Sequence, residues 1–437
     1  MSESPEGQHQ AELLTHTGPG TPCGDLLRRY WQPIALARDV AAGCPPLHVR
    51  IMSEDLVLFR DDKGRFGLLG RQCAHRCADL SYGRVEDGGL RCIYHGWLFD
   101  IDGHCLEQPG EPEGGLHRDQ VHQLAYPVVE RGGAVFAYLG PAPAPLFPNY
   151  PPFLVSAEHR VANRWLSNCN FLQGSEGNID PVHTSYLHRF DPEKQEGAGR
   201  RALQAVYVGN SRPTLSIMET RFGVRIFAER TMAPGEKVLR VTNFVMPNNS
   251  AIGSGTRGSC TMLWHVPIDD THHWRFEFFS HPRETFDHAA MERRIDTERA
   301  DGYQAKRNPE NRWLQNRQEM DWSYLGMGTY FPVHDLFVTE SQGTIHNHRN
   351  EHLATSDMAI ARARRLLLEG MAEVAAGRDP RGVVRAPGDN DWSDLLALTE
   401  HLPEGVDPAQ FCESLVADHI YDPSDEAPAE PEGLDLA

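Results

Sequence analysis

Two cysteine–histidine pairs lie close together early in the chain: Cys73-x-His75 and, after sixteen intervening residues, Cys92-x-x-His95. Each pair offers one thiolate and one imidazole, and sulfur ligands select zinc or an iron–sulfur cluster. A structural zinc site closes a tetrahedron with two cysteines and two histidines. A [2Fe–2S] cluster with cysteines on one iron and histidines on the other uses the same four side chains, at a raised potential. Zinc fingers usually keep both cysteines in one loop and both histidines in another, whereas here each loop carries one of each. The interleaving favours the cluster, with Cys73 and Cys92 on one iron and His75 and His95 on the other.

A second group, Asp180-x-x-His183-x-x-x-x-His188, places three side chains able to bind a metal or move a proton along about two helical turns. The five-residue step between the histidines is one longer than an ideal helical pair, so local irregularity is implied. Two histidines near an aspartate are more often surface or core residues than ligands. A one-electron carrier in the same chain alters that weighing, because its electrons need a recipient. Ferrous iron held by two histidines and one carboxylate keeps positions open for dioxygen. The third ligand must therefore be a carboxylate.

The supporting elements fall into two textures. The first 45 or so residues form a lead-in, polar and disordered to about residue 10, with a short helical pattern over Asp25–Trp31. From 46 to 150, runs such as Leu47–Met52 and Leu56–Phe59, broken by Asp61-Asp-Lys-Gly64, describe a small all-β domain that carries both ligand loops. Prolines at 141, 143, 145, 148, 151 and 152 mark a boundary. From 151 to 421 the types mix: a helical pattern near 163–189, then strands near 203–208, 214–221, 224–230, 238–246, 259–266 and 273–280. Helical patterns follow near 286–302, 311–320 and 356–376; in the last, Ile360, Ala363, Leu367, Met371 and Val374 form a core stripe that Ser356-Asp357 can cap. The acidic, proline-containing tail 422–437 reads as flexible.

Composition narrows the function. The chain has 437 residues, enough for two domains, and a formal net charge of −19 that argues against nucleic acid and anionic membranes as partners. Its nine cysteines are odd in number and scattered, so they make no disulfide framework and suit a reducing cytoplasm. No signal peptide and no run of eighteen apolar residues occurs. No flavin, NAD or second iron–sulfur motif is present either, so a separate reductase must supply electrons.

Around the first pairs, Arg71-Gln72, Gly83, Gly88-Gly89 and Tyr94-His95-Gly96-Trp97 suit two tight loops aimed at cluster sulfides. Further on come Cys169–Gly174, Glu176–Asp180 and Phe331-Pro-Val-His-Asp335 continuing to Gly343. Spacing and flanks together resemble the oxygenase (alpha) subunits of Rieske non-haem iron oxygenases, especially the phthalate 4,5-dioxygenase-like branch, from about Thr17 to the helix ending near 376. Two positions depart: Cys77, where glycine is more usual, reads as a free thiol, and His334 stands where glutamine or asparagine is more usual.

The resemblance implies an α+β fold, a Rieske domain plus a larger catalytic domain whose antiparallel sheet wraps around helices (helix-grip, START-like). It implies a [2Fe–2S] Rieske cluster and a mononuclear Fe(II) ligated by His183, His188 and Asp335, with Asp180 a bridge from the iron-bound histidine to the cluster histidine of a neighbouring subunit. Glu340 and Glu351 are competing carboxylates, and Asp335 leads because the matching motif surrounds it. A head-to-tail homotrimer, stacking into hexamers in some members, is implied too. So is an NAD(P)H-dependent reductase, with or without a ferredoxin. Expected chemistry is cis-dihydroxylation of a small, carboxylated aromatic substrate with O2; O-demethylation by a monooxygenase is the alternative. A carboxylate calls for a cation, and Arg225, Arg230 and Arg240 on the expected strands are candidates. The rival from another class is a non-oxygenase Rieske electron carrier or a zinc-stabilised binding module.

Overall fold

The computed structural model describes residues 5–115, 118–194, 198–253 and 258–417, which leaves the acidic tail outside. Helices α1 (Pro5–Thr15) and α2 (Pro22–Leu27) open the chain, α2 capped by the Thr21 hydroxyl on the Gly24 amide. Residues 5–10, expected to be disordered, are therefore helical. The expected helix at Asp25–Trp31 stops early because Gln32–Leu36 enters a sheet as strand β1.

Ten short strands follow: β2 (Leu47–Ile51), β3 (Glu54–Arg60), β4 (Phe66–Gly70), β5 (Arg84–Glu86), β6 (Gly89–Arg91), β7 (Leu98–Phe99), β8 (Cys105–Glu107), β9 (Ala125–Tyr126), β10 (Val128–Arg131) and β11 (Ala134–Ala137). They form three small antiparallel sheets ordered β1-β11-β10, β2-β3-β4-β9 and β5-β6-β7-β8. The loop after β4 carries Cys73 and His75; the loop between β6 and β7 carries Cys92 and His95.

The larger half is built on an eight-stranded antiparallel sheet. Its strands are β12 (Arg160–Ser167), β13 (Thr214–Glu219), β14 (Gly223–Ala233), β15 (Glu236–Val245), β16 (Asn249–Ile252), β17 (Cys260–Pro267), β18 (His273–Ser280) and β19 (Leu398–Leu402). The order is β12-β18-β17-β16-β15-β14-β13, with β19 also paired to β15. Helices α3 (Phe171–Asn178), α4 (Ala198–Gly209), α5 (His288–Glu298), α6 (Phe331–Glu340), α7 (Met358–Ala375) and α8 (Pro408–Ala417) complete the fold. Among the described residues no helix is long and apolar enough to cross a membrane.

Three local expectations are corrected. Arg160–Ser167 is a strand paired with β18 along its whole length, not the start of a helix. Both its faces are mostly buried, so it shows no polar–apolar alternation to betray it. Residues 203–208 lie in α4 rather than a strand, because Leu203, Val206 and Tyr207 face one way at helical spacing and pack with Val238 and Met232. Residues 311–320 form only short 3-10 turns.

The two halves share one core. Phe136 of β11 lies 5.8 Å from Trp264 of β17 and 5.7 Å from Phe278 of β18, ring centre to ring centre. The α7 stripe joins the same core through Ala363, Leu367 and Met371. Its N-terminus differs in detail, since the Asp357 side chain accepts from the Ala354 amide instead of capping the helix. Against this sheet α3 packs so closely that a methyl group on Gly174 would stand 2.2 Å from His265 Nδ1. That contact fixes the segment leading to Asp180.

Candidate metal centres

The two early loops repeat one another. The Cys77 amide donates to the Cys73 carbonyl at 2.8 Å, and the Gly96 amide to the Cys92 carbonyl at 3.0 Å. Each turn needs a left-handed residue at the same place, Cys77 at φ 57° and Gly96 at φ 76°. This explains why glycine is the usual occupant where Cys77 stands. Arg71 pairs with Asp79 at 2.6 Å and holds its carboxyl down at about 2, and Asp79 in turn accepts from Ser81. Gln123 ties the first loop to the sheet, accepting from the Ala74 amide and donating to the Gly70 and Gln72 carbonyls.

These turns bury Cys73 and Cys92 and leave His75 and His95 half-buried at the tip, with ring centres 4.5 Å apart. His75 lies flat on Trp97, 4.3 Å away. Its Nδ1 is buried with no hydrogen-bond partner, as expected of an atom reserved for iron. The four donors thus suit a cluster with its sulfur-held iron inside and its imidazole-held iron outward. All nine cysteines are free thiols.

The second centre gathers residues from two elements. His183 sits in a 3-10 turn, His183–Ser185, and His188 follows in irregular chain; their rings are 5.1 Å apart and nearly perpendicular. Asp335, in the first half of α6, points at both. Its Oδ1 lies 3.0 Å from His188 Nε2 and 4.0 Å from His183 Nε2, and one donor atom from each residue falls within 4.8 Å of the others. Two imidazoles and a carboxylate at these spacings fit a single ferrous ion. Burial alone would raise the Asp335 carboxyl, but His188, Arg275 and His183 hold it far below the ordinary range, so it is an anion.

The rival carboxylates are engaged elsewhere. Glu340 accepts from the Asn168 amide, and Glu351 pairs with Arg364, which also pairs with Glu176 of α3. Asp180 stands beside the triad: one oxygen accepts from the Val182 amide at 2.8 Å, and the other is 3.8 Å from His183 Nδ1. That separation is too long for a hydrogen bond and leaves His183 Nδ1 buried without a partner.

Arg275 of β18 was not singled out by sequence. Its Nη1 donates to Asp335 Oδ2 at 3.0 Å, and its Nε lies 3.1 Å from Glu277, whose fully buried carboxylate also accepts from Trp165 and Asn163. A signal existed. Two charges at alternate positions of the aromatic run His273–Ser280 point to one face, and buried charges require partners there.

Two cavities meet at the triad, both touching Asp180, His183, Arg275 and Asp335. One, of about 300 Å³, has Gln173, Asn178, His265 and His273 in its wall beside Leu336, Val338 and Ile360. The other, of about 240 Å³, is walled by Ile252, Leu263, Phe279 and Phe331, with Arg240, Tyr207, Thr242 and Thr261 among its polar groups. Arg240 donates to the Tyr207 hydroxyl at 2.6 Å.

Arg225 and Arg230 line neither of these cavities. Arg225 is buried, donating to Asn243 and to the Asp394 carbonyl. Arg230, 1% exposed, donates to the Asn210 and Pro181 carbonyls and to Thr184 and Ser185, bracing the turn that carries His183. Removing it takes a donor from each of them, the Pro181 carbonyl keeping only the Thr184 hydroxyl, at a cost of about 1–3 kcal/mol for each group left buried and unsatisfied. R230M is therefore expected to lower the thermal midpoint by several degrees, read by calorimetry.

Comparison with known proteins agrees with this geometry. Residues 30–127 match the Rieske [2Fe-2S] domain family and residues 137–396 the family described as LigXa C-terminal domain like. The phenoxybenzoate dioxygenase subunit alpha of Ectopseudomonas oleovorans is 36% identical, over 86% of this chain and 88% of its own. The phthalate 4,5-dioxygenase oxygenase subunit of Pseudomonas putida is 33% identical, over 85% and 87%. The 5,5'-dehydrodivanillate O-demethylase oxygenase subunit of a Sphingobium species is 32% identical, over 87% and 84%. Dicamba monooxygenase, solved with dicamba bound, shares the fold with a TM-score of 0.55 at 18% identity, over 80% of this chain and 99% of that one. With relatives above 30% identity along most of its length and both domain families matched, the chain belongs to the Rieske non-haem iron oxygenases, as a terminal oxygenase subunit.

Proposed function

We propose that this subunit hydroxylates a small aromatic carboxylate by cis-dihydroxylation, using O2 and electrons from a separate NAD(P)H-dependent reductase, with or without a ferredoxin. The observation that carries the reading is the convergence of His183, His188 and Asp335 on the wall of a cavity that also presents Ile252, Leu263 and Phe279 and holds Arg240. Iron bound by that triad supplies open coordination positions for dioxygen chemistry beside the substrate.

The protein's own groups do the rest. Arg240 offers a fork suited to a carboxylate, with Tyr207 as a second donor, and so sets which edge of the ring faces the triad. Ile252, Leu263 and Phe279 exclude water around the ring. Arg275 holds Oδ2 of Asp335 and leaves Oδ1 for the metal.

Electrons arrive through Asp180 in this reading, from the cluster of a neighbouring copy in a head-to-tail homotrimer. Two features support the docking: Ile93 and Tyr94, 61% and 55% exposed, flank the cluster histidines, and Tyr186 and Tyr324 form an exposed pair on the catalytic half. The free thiols suit a cytoplasmic location.

The test supplies reductant, oxygen and a panel of aromatic acids with and without methoxy groups, and reads product mass with formaldehyde. A gain of two oxygens and two hydrogens is expected. Loss of a methylene with formaldehyde would replace this reading by O-demethylation, the activity named for one relative. R240Q should reduce kcat/KM for a carboxylated substrate by about 10–100-fold, the scale of a charged hydrogen bond, and leave an uncharged analogue little changed.

A further inference from the structure

His334, immediately before Asp335, is fully buried in α6 behind the triad. Its Nε2 lies 3.2 Å from the Gly328 carbonyl, which can only accept. That nitrogen must therefore carry the ring's proton, and a neutral imidazole then has a bare acceptor at Nδ1. Nδ1 in turn lies 3.3 Å from His188 Nδ1, and the two rings are within 24° of parallel. His188 can satisfy that contact in one way only, by donating its own Nδ1 hydrogen.

We infer that His334 is a positioning residue which fixes His188 as the tautomer protonated on Nδ1, so that the bare Nε2 faces Asp335 Oδ1 and the metal. The relay runs from the Gly328 carbonyl through His334 to His188, with every hydrogen assigned by the acceptor-only group at its end. Phe331 stacks on His188 at 4.5 Å and holds its ring plane, and Gln204 holds its backbone by donating to the His188 carbonyl. Metal-bound imidazoles generally need such a partner on their other nitrogen. Here the partner is a neutral imidazole instead of a carboxylate. The donor thus stays a full Nδ1–H, and His188 remains an uncharged ligand.

The inference rests on iron occupying the triad, and the experiment separates the two. Full-length protein with its cluster intact is titrated with ferrous iron, and the nitric oxide adduct is followed by electron paramagnetic resonance. H334L removes the acceptor and is expected to weaken iron binding by about 10–100-fold and to change the adduct's rhombicity. H334N places an amide oxygen close to the position of Nδ1, and should return affinity to within about threefold with the native spectrum.

H334D offers an anionic acceptor, so its iron midpoint potential should fall below that of H334N. This comparison stands even where H334L does not fold. Equal affinities in wild type and H334L, no recovery in H334N, or equal potentials in H334D and H334N would each overturn the assignment. Failure of the wild type to bind a third iron would instead overturn the triad.

Discussion

Replacing Asp335 with alanine is expected to abolish the mononuclear iron and all turnover while the Rieske cluster stays at full occupancy. The two centres are built from separate stretches of chain, so one can be emptied alone. Asp335 is the anion among the three donors, and its Oδ1 is the atom both imidazoles face. Losing it should cost more than the roughly 10–100-fold in metal affinity that losing an outer partner of a ligand costs. It also leaves Arg275 buried with one carboxylate partner where it had two. Some loss of stability is therefore expected, of the order of 1–3 kcal/mol. D335N provides the control, since its amide can still face Arg275 while the anionic donor is gone. Metal analysis and the visible spectrum of the cluster report the two centres separately. Retention of the third iron in both variants would exclude Asp335 as a ligand.

The second large effect is expected from D180N. The Val182 amide donates to Asp180 Oδ1, and an asparagine oxygen can accept that bond, so the 180–183 turn should survive. What changes is the other oxygen, 3.8 Å from His183 Nδ1, which becomes an amide nitrogen and can no longer accept. Iron content, the cluster spectrum and the reduction of the cluster by its reductase should all match wild type. Turnover should fall by roughly 100-fold or more, the scale on which a single preorganised polar group contributes. Stopped-flow reoxidation of the reduced cluster in the presence of substrate and oxygen locates the defect. Unchanged reoxidation would rule out Asp180 as the route between the centres.

Much of both centres was legible before the fold was known, because metal chemistry constrains residue type and spacing more tightly than packing does. Cys73, His75, Cys92 and His95 announce their partners within a span of 23 residues. Asp335 lies 147 residues beyond His188, and only family resemblance joined them; the structure then brings them to 3.0 Å. Arginine roles were the least legible. Arg225, Arg230 and Arg240 are alike as residue types, and their different fates depend on what faces each strand: Asn243, the 181–185 turn and an open cavity. The fold was misread where burial on both faces erased periodicity, as in Arg160–Ser167, and where β-favouring residues formed a helix, as in Val206–Val208 of α4.

Iron and acid-labile sulfide measured together in the purified protein test the two-centre reading most directly. Three irons per two sulfides are expected, two in the cluster and one at His183, His188 and Asp335, with the third lost selectively in D335A. Two irons per two sulfides in a fully reconstituted sample would leave an electron carrier without an oxygenase site. Zinc without sulfide would contradict both centres.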